Sequence, residues 1–182
     1  MNLRMERREK VSRSIVIVFL IFCCFTVLQI VAPLLLPTGS VSDLTGSVGV
    51  VDNAEVYEDI SFPLDIPYHC GDRLCHQKLE RSFVLNGNQM SFCSRCTAIW
   101  IGLTIGLFVM MLCSIDLNER FLGLLILCLV PIGIDGTGQL LGFWESTNLT
   151  RVLTGLIIGI PVGLAVGIIF DEVWILYKTK IK

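Results

Sequence analysis

The stretch His69–Trp100, HCGDRLCHQKLERSFVLNGNQMSFCSRCTAIW, carries Cys70, Cys75, Cys93 and Cys96 of the chain's eight cysteines, and both of its histidines, His69 and His76. At its centre Asn86-Gly87 is flanked by Phe83-Val84-Leu85 on one side and by Met90 and Phe92 on the other. An Asn-Gly pair between apolar runs signals a hairpin, because a type I′ turn needs positive φ at both central residues. A regular ladder then pairs Leu85 with Asn88 and Phe83 with Met90, and brings Arg81 opposite Phe92. Cys75 and His76 come to the same open end as Cys93 and Cys96, so two groups distant in sequence become one cluster.

On either side of this stretch the chain is apolar. Of 182 residues 53% are hydrophobic and 16% charged, and the mean hydropathy is +0.73. The apolar residues fall in blocks of membrane-spanning length, which is the signature of an integral membrane protein. A net charge of −2 offers no footprint for nucleic acid.

The expected architecture is all-α, with four transmembrane helices and a small extracytoplasmic cysteine-rich β-hairpin cap. Residues 1–14 are a basic cytoplasmic segment with Arg4, Arg7, Arg8, Lys10 and Arg13, and 15–36 are the first span. A cleaved signal peptide competes for that run, but its apolar region would be shorter and no small-x-small site follows. Residues 37–92 form the outer loop. Its first part, Thr38 to Tyr68, is acidic and reads as loop and strand, with an extended piece at Val48 to Val51. Spans follow at 97–115, 121–141 and 152–170, and 171–182 is a cytoplasmic tail. Basic residues at both ends and at Arg120 put both termini in the cytoplasm of a multi-pass cell-membrane protein, and the cysteine loop outside.

The last span carries Gly155, Gly159, Gly163 and Gly167 at a four-residue period, a face along which another backbone can approach closely. That face serves either packing within one bundle or a homodimer seam, and Gly102 and Gly106 give the second span a shorter version.

Three chemistries fit the cysteines. Cys70, Cys75, Cys93 and Cys96, with His76 as a substitute, resemble two knuckles for tetrahedral zinc. Alternatively, Cys93-x-x-Cys96 at a helix start, with Arg95 between, favours a reactive thiolate. That layout has an architectural parallel in quinone-coupled enzymes of the vitamin K epoxide reductase type. The third option is two disulfides stapling a small cap. Cys23, Cys24, Cys113 and Cys128 lie within spans as small apolar residues.

Asp135 and Gln139 sit one turn apart in the third span. A carboxylate there costs on the order of 3 kcal/mol, so it requires a partner. Arg151 is the first candidate and Arg95 the second. Asn148 or Thr150 can cap the fourth helix.

These residues resemble a family of small prokaryotic and archaeal membrane proteins catalogued only as a domain of unknown function. The resemblance runs over residues 70–160. It rests on Cys75-His76-Gln77, Arg81-Ser82-Phe83, Gly87, Met90, Cys93-x-Arg95-Cys96-Thr97, Ile134-Asp135-Gly136, Gln139, Ser146-x-Asn148, Arg151, Thr154 and Gly155. Ala98 stands where that signature usually has glycine. The resemblance implies a topology and a set of site residues, but no reaction. The order Asp135, Gln139, Arg151 and a glycine-rich helix is also similar, over a short stretch, to VanZ-like membrane proteins.

The expected function is therefore a zinc-binding cap over an intramembrane pocket in which Asp135, Gln139, Arg151 and Arg95 handle a polar or lipid-linked substrate. A quinone-coupled thiol–disulfide oxidoreductase is one alternative, and a structural or partner-binding subunit is the other.

Overall fold

The computed structural model describes residues 5–7, 11–44, 46 and 48–181. The basic residues Arg4, Arg8 and Lys10, and Lys182, lie outside them. In chain order the elements are β1 (Met5–Arg7), α1 (Arg13–Leu35), α2 (Ala54–Tyr57), α3 (Ile66–Leu74), β2 (Ser82–Leu85), β3 (Asn88–Cys93), α4 (Ser94–Leu112), β4 (Cys113–Ile115), α5 (Glu119–Leu140) and α6 (Asn148–Ile181). Four of these, α1, α4, α5 and α6, are long and apolar enough to cross a membrane.

Three of the four long helices start where a side chain satisfies free N–H groups, whereas α4, preceded by Cys93, has no side-chain cap bond. Ser12 Oγ accepts from Ile15 N at 3.4 Å, and Asn118 Oδ1 accepts from Phe121 N at 2.9 Å. For α6 the cap is Thr147, whose Oγ1 accepts from Thr150 N at 3.2 Å. This corrects the expected Asn148 or Thr150 cap and leaves the Asn148 side chain available elsewhere.

The closest helix pair is α4 against α6. A Cβ added at Gly159 would lie 2.6 Å from the carbonyl oxygen of Ile99, and one at Gly155 would lie 2.6 Å from that of Arg95. Gly163 faces the Leu103 carbonyl in the same way, and Gly167 faces the Met110 side chain. The four-residue glycine period is thus filled by this chain's own α4. Thr26 and Thr104 link α1 to α4 through hydroxyls 2.9 Å apart. Phe25 and Trp100 pack beside them as a tilted pair with ring centres 4.6 Å apart. By contrast α5 is mostly bare: Leu122, Ile126, Leu127, Val130 and Ile134 are exposed, and a bilayer is the solvent that suits such a surface.

Several boundaries differ from the sequence expectation. The second span stops at Leu112, and Cys113–Ile115 instead pairs antiparallel with Met5–Arg7. The last helix runs on through the expected tail to Ile181. The outer segment holds two short helices, and Val48 to Val51 is turn rather than strand. The cap has its own small core of Val41, Leu44, Tyr57, Ile60 and Tyr68, packed on Ala32 and Leu36 at the end of α1. Burial raises the phenol pKa values of Tyr57 and Tyr68, so both stay neutral donors: Tyr57 to Gln77 Oε1 and Tyr68 to the Gln89 carbonyl, each at 3.0 Å.

The hairpin forms at Asn86-Gly87, with φ of 52° and 73°. Leu85 pairs with Asn88 and Val84 with Gln89 as expected, but Ser82 pairs with Cys93. An irregularity between Ser82 and Val84 shifts the ladder by two residues, so the expected Phe83–Met90 and Arg81–Phe92 pairings do not form.

Candidate functional site

Three local structures each contribute to one cluster of sulfurs. Cys75 is the C-terminal cap of α3, its N–H bonded to the Gly71 carbonyl at 2.8 Å. Cys93 ends β3 and occupies the N-cap position of α4, and Cys96 lies in the first turn of that helix. Their Sγ atoms all lie within 4.8 Å of one another. The Cys93 N–H donates to Cys75 Sγ at 3.4 Å.

Close approach of α3 to β3 makes this possible. A Cβ at Gly71 would overlap the Ser91 carbonyl and come within 2.7 Å of Gln77 Nε2. Gln77, at φ 47°, turns the chain after Cys75. Its amide is buried, donating to Ser91 O at 2.8 Å and accepting from Tyr57. Asn88 fixes the other end of the hairpin, accepting from Val41 N at 3.0 Å and donating to Pro33 O at 2.9 Å. The triad therefore sits on a satisfied polar frame rather than on a loose loop.

Cys70 and His76 fall outside the sulfur group, in contrast to the expected ligand set. Helical geometry accounts for Cys70: five residues along α3 is a rotation of about 140° from Cys75. His76 is exposed and lines the adjoining cavity without joining the sulfur group.

Hydrogen bonds from the Cys75 thiol, then from that of Cys96, and then from the backbone N–H groups of Cys96 and Arg95 hold the Cys93 thiol well below its usual range. The same exchange with Cys93 is the largest of the influences that raise Cys75. The helix dipole at the start of α4 acts on Cys93 in the same direction.

Beside the sulfurs lies a cavity of about 150 Å³, lined by all three cysteines together with Arg81, Arg95, Gln139 and Arg151. Gln139, Arg151 and Arg95 converge here and Asp135 lies beside them, with one exchange of partners. Asp135 pairs with Arg95 and not with Arg151, through Arg95 Nη2 and Asp135 Oδ2. Ser146 Oγ donates to the same carboxylate oxygen at 2.9 Å, and Trp144 Nε1 lies 3.4 Å from the other. Arg151, only 4% exposed, is held by neutral groups. With the Gln139 amide oxygen turned toward the guanidinium groups, it accepts from Arg151 Nη2 at 2.8 Å and from Arg81 Nη2 at 3.2 Å. Asn148 Oδ1 takes a further bond from Arg151 at 3.3 Å and one from Ser94 Oγ at 2.9 Å.

Sequence reasoning gave no role to Lys78 or Ser94, and reached Arg81 and Ser146 only through the family resemblance. The signal for Arg81 is its place next to Ser82, whose pairing with Cys93 brings Arg81 to the mouth of α4.

The family described as "Predicted membrane protein (DUF2085)" matches residues 75–165, which contain every residue of the cavity named above and the whole α4–α6 seam up to Gly163. An uncharacterised protein of Methanocaldococcus jannaschii is 38% identical over 88 residues, covering 46% of this chain and 55% of that protein. An uncharacterised protein of Methanothermobacter thermautotrophicus is 40% identical over 83 residues, covering 46% of this chain and 75% of its own length. The chain thus spans little more than half of the first of these relatives. No solved structure matches it.

Proposed function

The chain belongs to this family of predicted membrane proteins, and we propose on that premise that Cys75, Cys93 and Cys96 hold a zinc ion with one position left open toward the arginine-lined cavity. One observation carries the reading. Three sulfurs, one from the end of α3 and two from the β3–α4 junction eighteen residues on, lie within 4.8 Å of one another, and all three line the same cavity. Thiolates 2.3 Å from a tetrahedral zinc are about 3.8 Å apart, so modest side-chain rotation closes the site. Three protein ligands and a free fourth position are the pattern of reactive rather than purely structural zinc. A zinc ion there would supply Lewis-acid polarisation of a ligand oxygen, or acidify a bound water.

The chain's own residues then have distinct tasks. Asp135 anchors Arg95 against the first turn of α4. Gln139 and Asn148 orient Arg151, and Arg81 closes the opposite wall. By the distribution of basic residues the site faces the outer side, with both termini cytoplasmic and four spans in the cell membrane. A polar or lipid-linked substrate could reach it from the outer leaflet.

A second reading, a quinone-coupled dithiol, is favoured by one observation, the acidified Cys93 two residues before Cys96. Oxidation would join the Cys93 thiolate to the Cys96 thiol and pass two electrons and one proton to the quinone, which takes its second proton from water.

Metal analysis of protein purified in mild detergent separates them. The zinc reading expects about one zinc per chain, lost in Cys93→Ser and kept in Cys70→Ser. Metal-free protein with a reducible Cys93–Cys96 bond would favour the dithiol.

A further inference from the structure

We infer that the cavity beside the cysteine triad is a binding site for a phosphate-type oxyanion, free or as the headgroup of a lipid. The inference deepens the zinc reading by naming the ligand class of the same site, but its residues are the cations rather than the sulfurs.

The cations outnumber their partners. Arg81, Arg95, Arg151 and Lys78 line the cavity, and no Asp or Glu does so among the described residues. Arg95 is neutralised by Asp135. Arg81 has only Glu80, 3.7 Å from its Nε and 68% exposed, outside the cavity. Arg151 is 4% exposed, yet its partners are the uncharged Gln139 and Asn148. A buried guanidinium without a counter-charge is costly in a low-dielectric setting.

The arrangement compounds that cost. Arg81 Nη2 and Arg151 Nη2 donate to one and the same amide oxygen, which holds two like charges side by side. Arg81 Nε and Arg95 Nε are buried with no acceptor. An oxyanion supplies what is missing: acceptor lone pairs for unpaired N–H groups, and negative charge between Arg81 and Arg151. Arg81, Arg151 and Lys78 bring positive charge to a lining that holds no carboxylate, which suits a phosphate-type anion. Guanidinium forks suit such tetrahedral oxygens better than a lone halide. The N-terminal ends of α4 and α6 add their dipoles at the same place.

The test uses the full chain in phosphatidylcholine nanodiscs, with zinc content measured on the same sample. Inorganic phosphate is titrated by calorimetry, and phosphatidic acid retained per protein is counted by native mass spectrometry. At least one of the two is expected to bind at one per chain and to be unaffected by chloride. Arg81→Gln should weaken it about tenfold or more, with Arg81→Lys intermediate. Phosphate binding indicates a free anion; retention of phosphatidic acid alone indicates a headgroup. Failure of both, or undiminished binding in folded Arg81→Gln, overturns the inference. Zinc present without anion binding rejects this inference and spares the metal, and anion binding without zinc does the reverse.

Discussion

Arg95, in the first turn of α4, is the cation that Asp135 holds, and Arg151 is left to Gln139 and Asn148. The pair joins α4 to α5 at the edge of the cavity, next to the helix cap that carries Cys93. A carboxylate of 6% side-chain exposure is thereby satisfied without neutralising the guanidinium groups farther into the site.

Asp135→Asn should destabilise the protein by about 3 kcal/mol, because it leaves Arg95 buried without its counter-charge. A double-mutant cycle measured by thermal unfolding should give strong coupling of Asp135 with Arg95 and little with Arg151. Equal coupling to both arginines would mean that the partner assignment is wrong.

Gly71→Ala puts a methyl group into the Ser91 carbonyl, against a frame that the Gln77 amide holds in place. The expected cost is about 2 kcal/mol or more, with loss of bound metal as α3 withdraws Cys75 from Cys93. Gly133→Ala meets nothing within 4 Å and should leave stability equal or slightly improved, since alanine favours a helix by up to about 1 kcal/mol. Unfolding curves and metal content of the two variants check this.

Gly159→Leu forces α6 away from Ile99 and Gly102 of α4. It should lower the thermal midpoint markedly while the light-scattering mass of the detergent-solubilised protein stays that of the wild type. A change of mass with unchanged stability would instead place the glycine face between copies of the chain.

Four helices of membrane-crossing length were legible because unbroken apolar runs leave few other options, and the hairpin tip was legible because Asn86-Gly87 admits few other backbones. What failed was anything decided by contacts between elements. The slip that pairs Ser82 with Cys93 depends on an irregular strand that alternation does not announce. Cys70 looked like a ligand by spacing, but α3 stays helical through Leu74 and turns it away from Cys75. Asp135 had two candidate arginines in sequence, and only the reach of the Arg95 side chain from the start of α4 to α5 chose between them. The three-residue strand Cys113–Ile115 carries the composition of a helix end, so nothing in it revealed its pairing with Met5–Arg7.

The central claim, a metal held by three sulfurs, is tested most directly by counting alkylated cysteines by mass spectrometry, with and without a chelator and with and without a reductant. The account expects Cys75, Cys93 and Cys96 to be protected as purified, to react together once a chelator is added, and to ignore the reductant, while Cys70 behaves independently of both. If instead Cys93 and Cys96 become alkylatable only after reduction, the sulfurs form a disulfide and the zinc reading is contradicted.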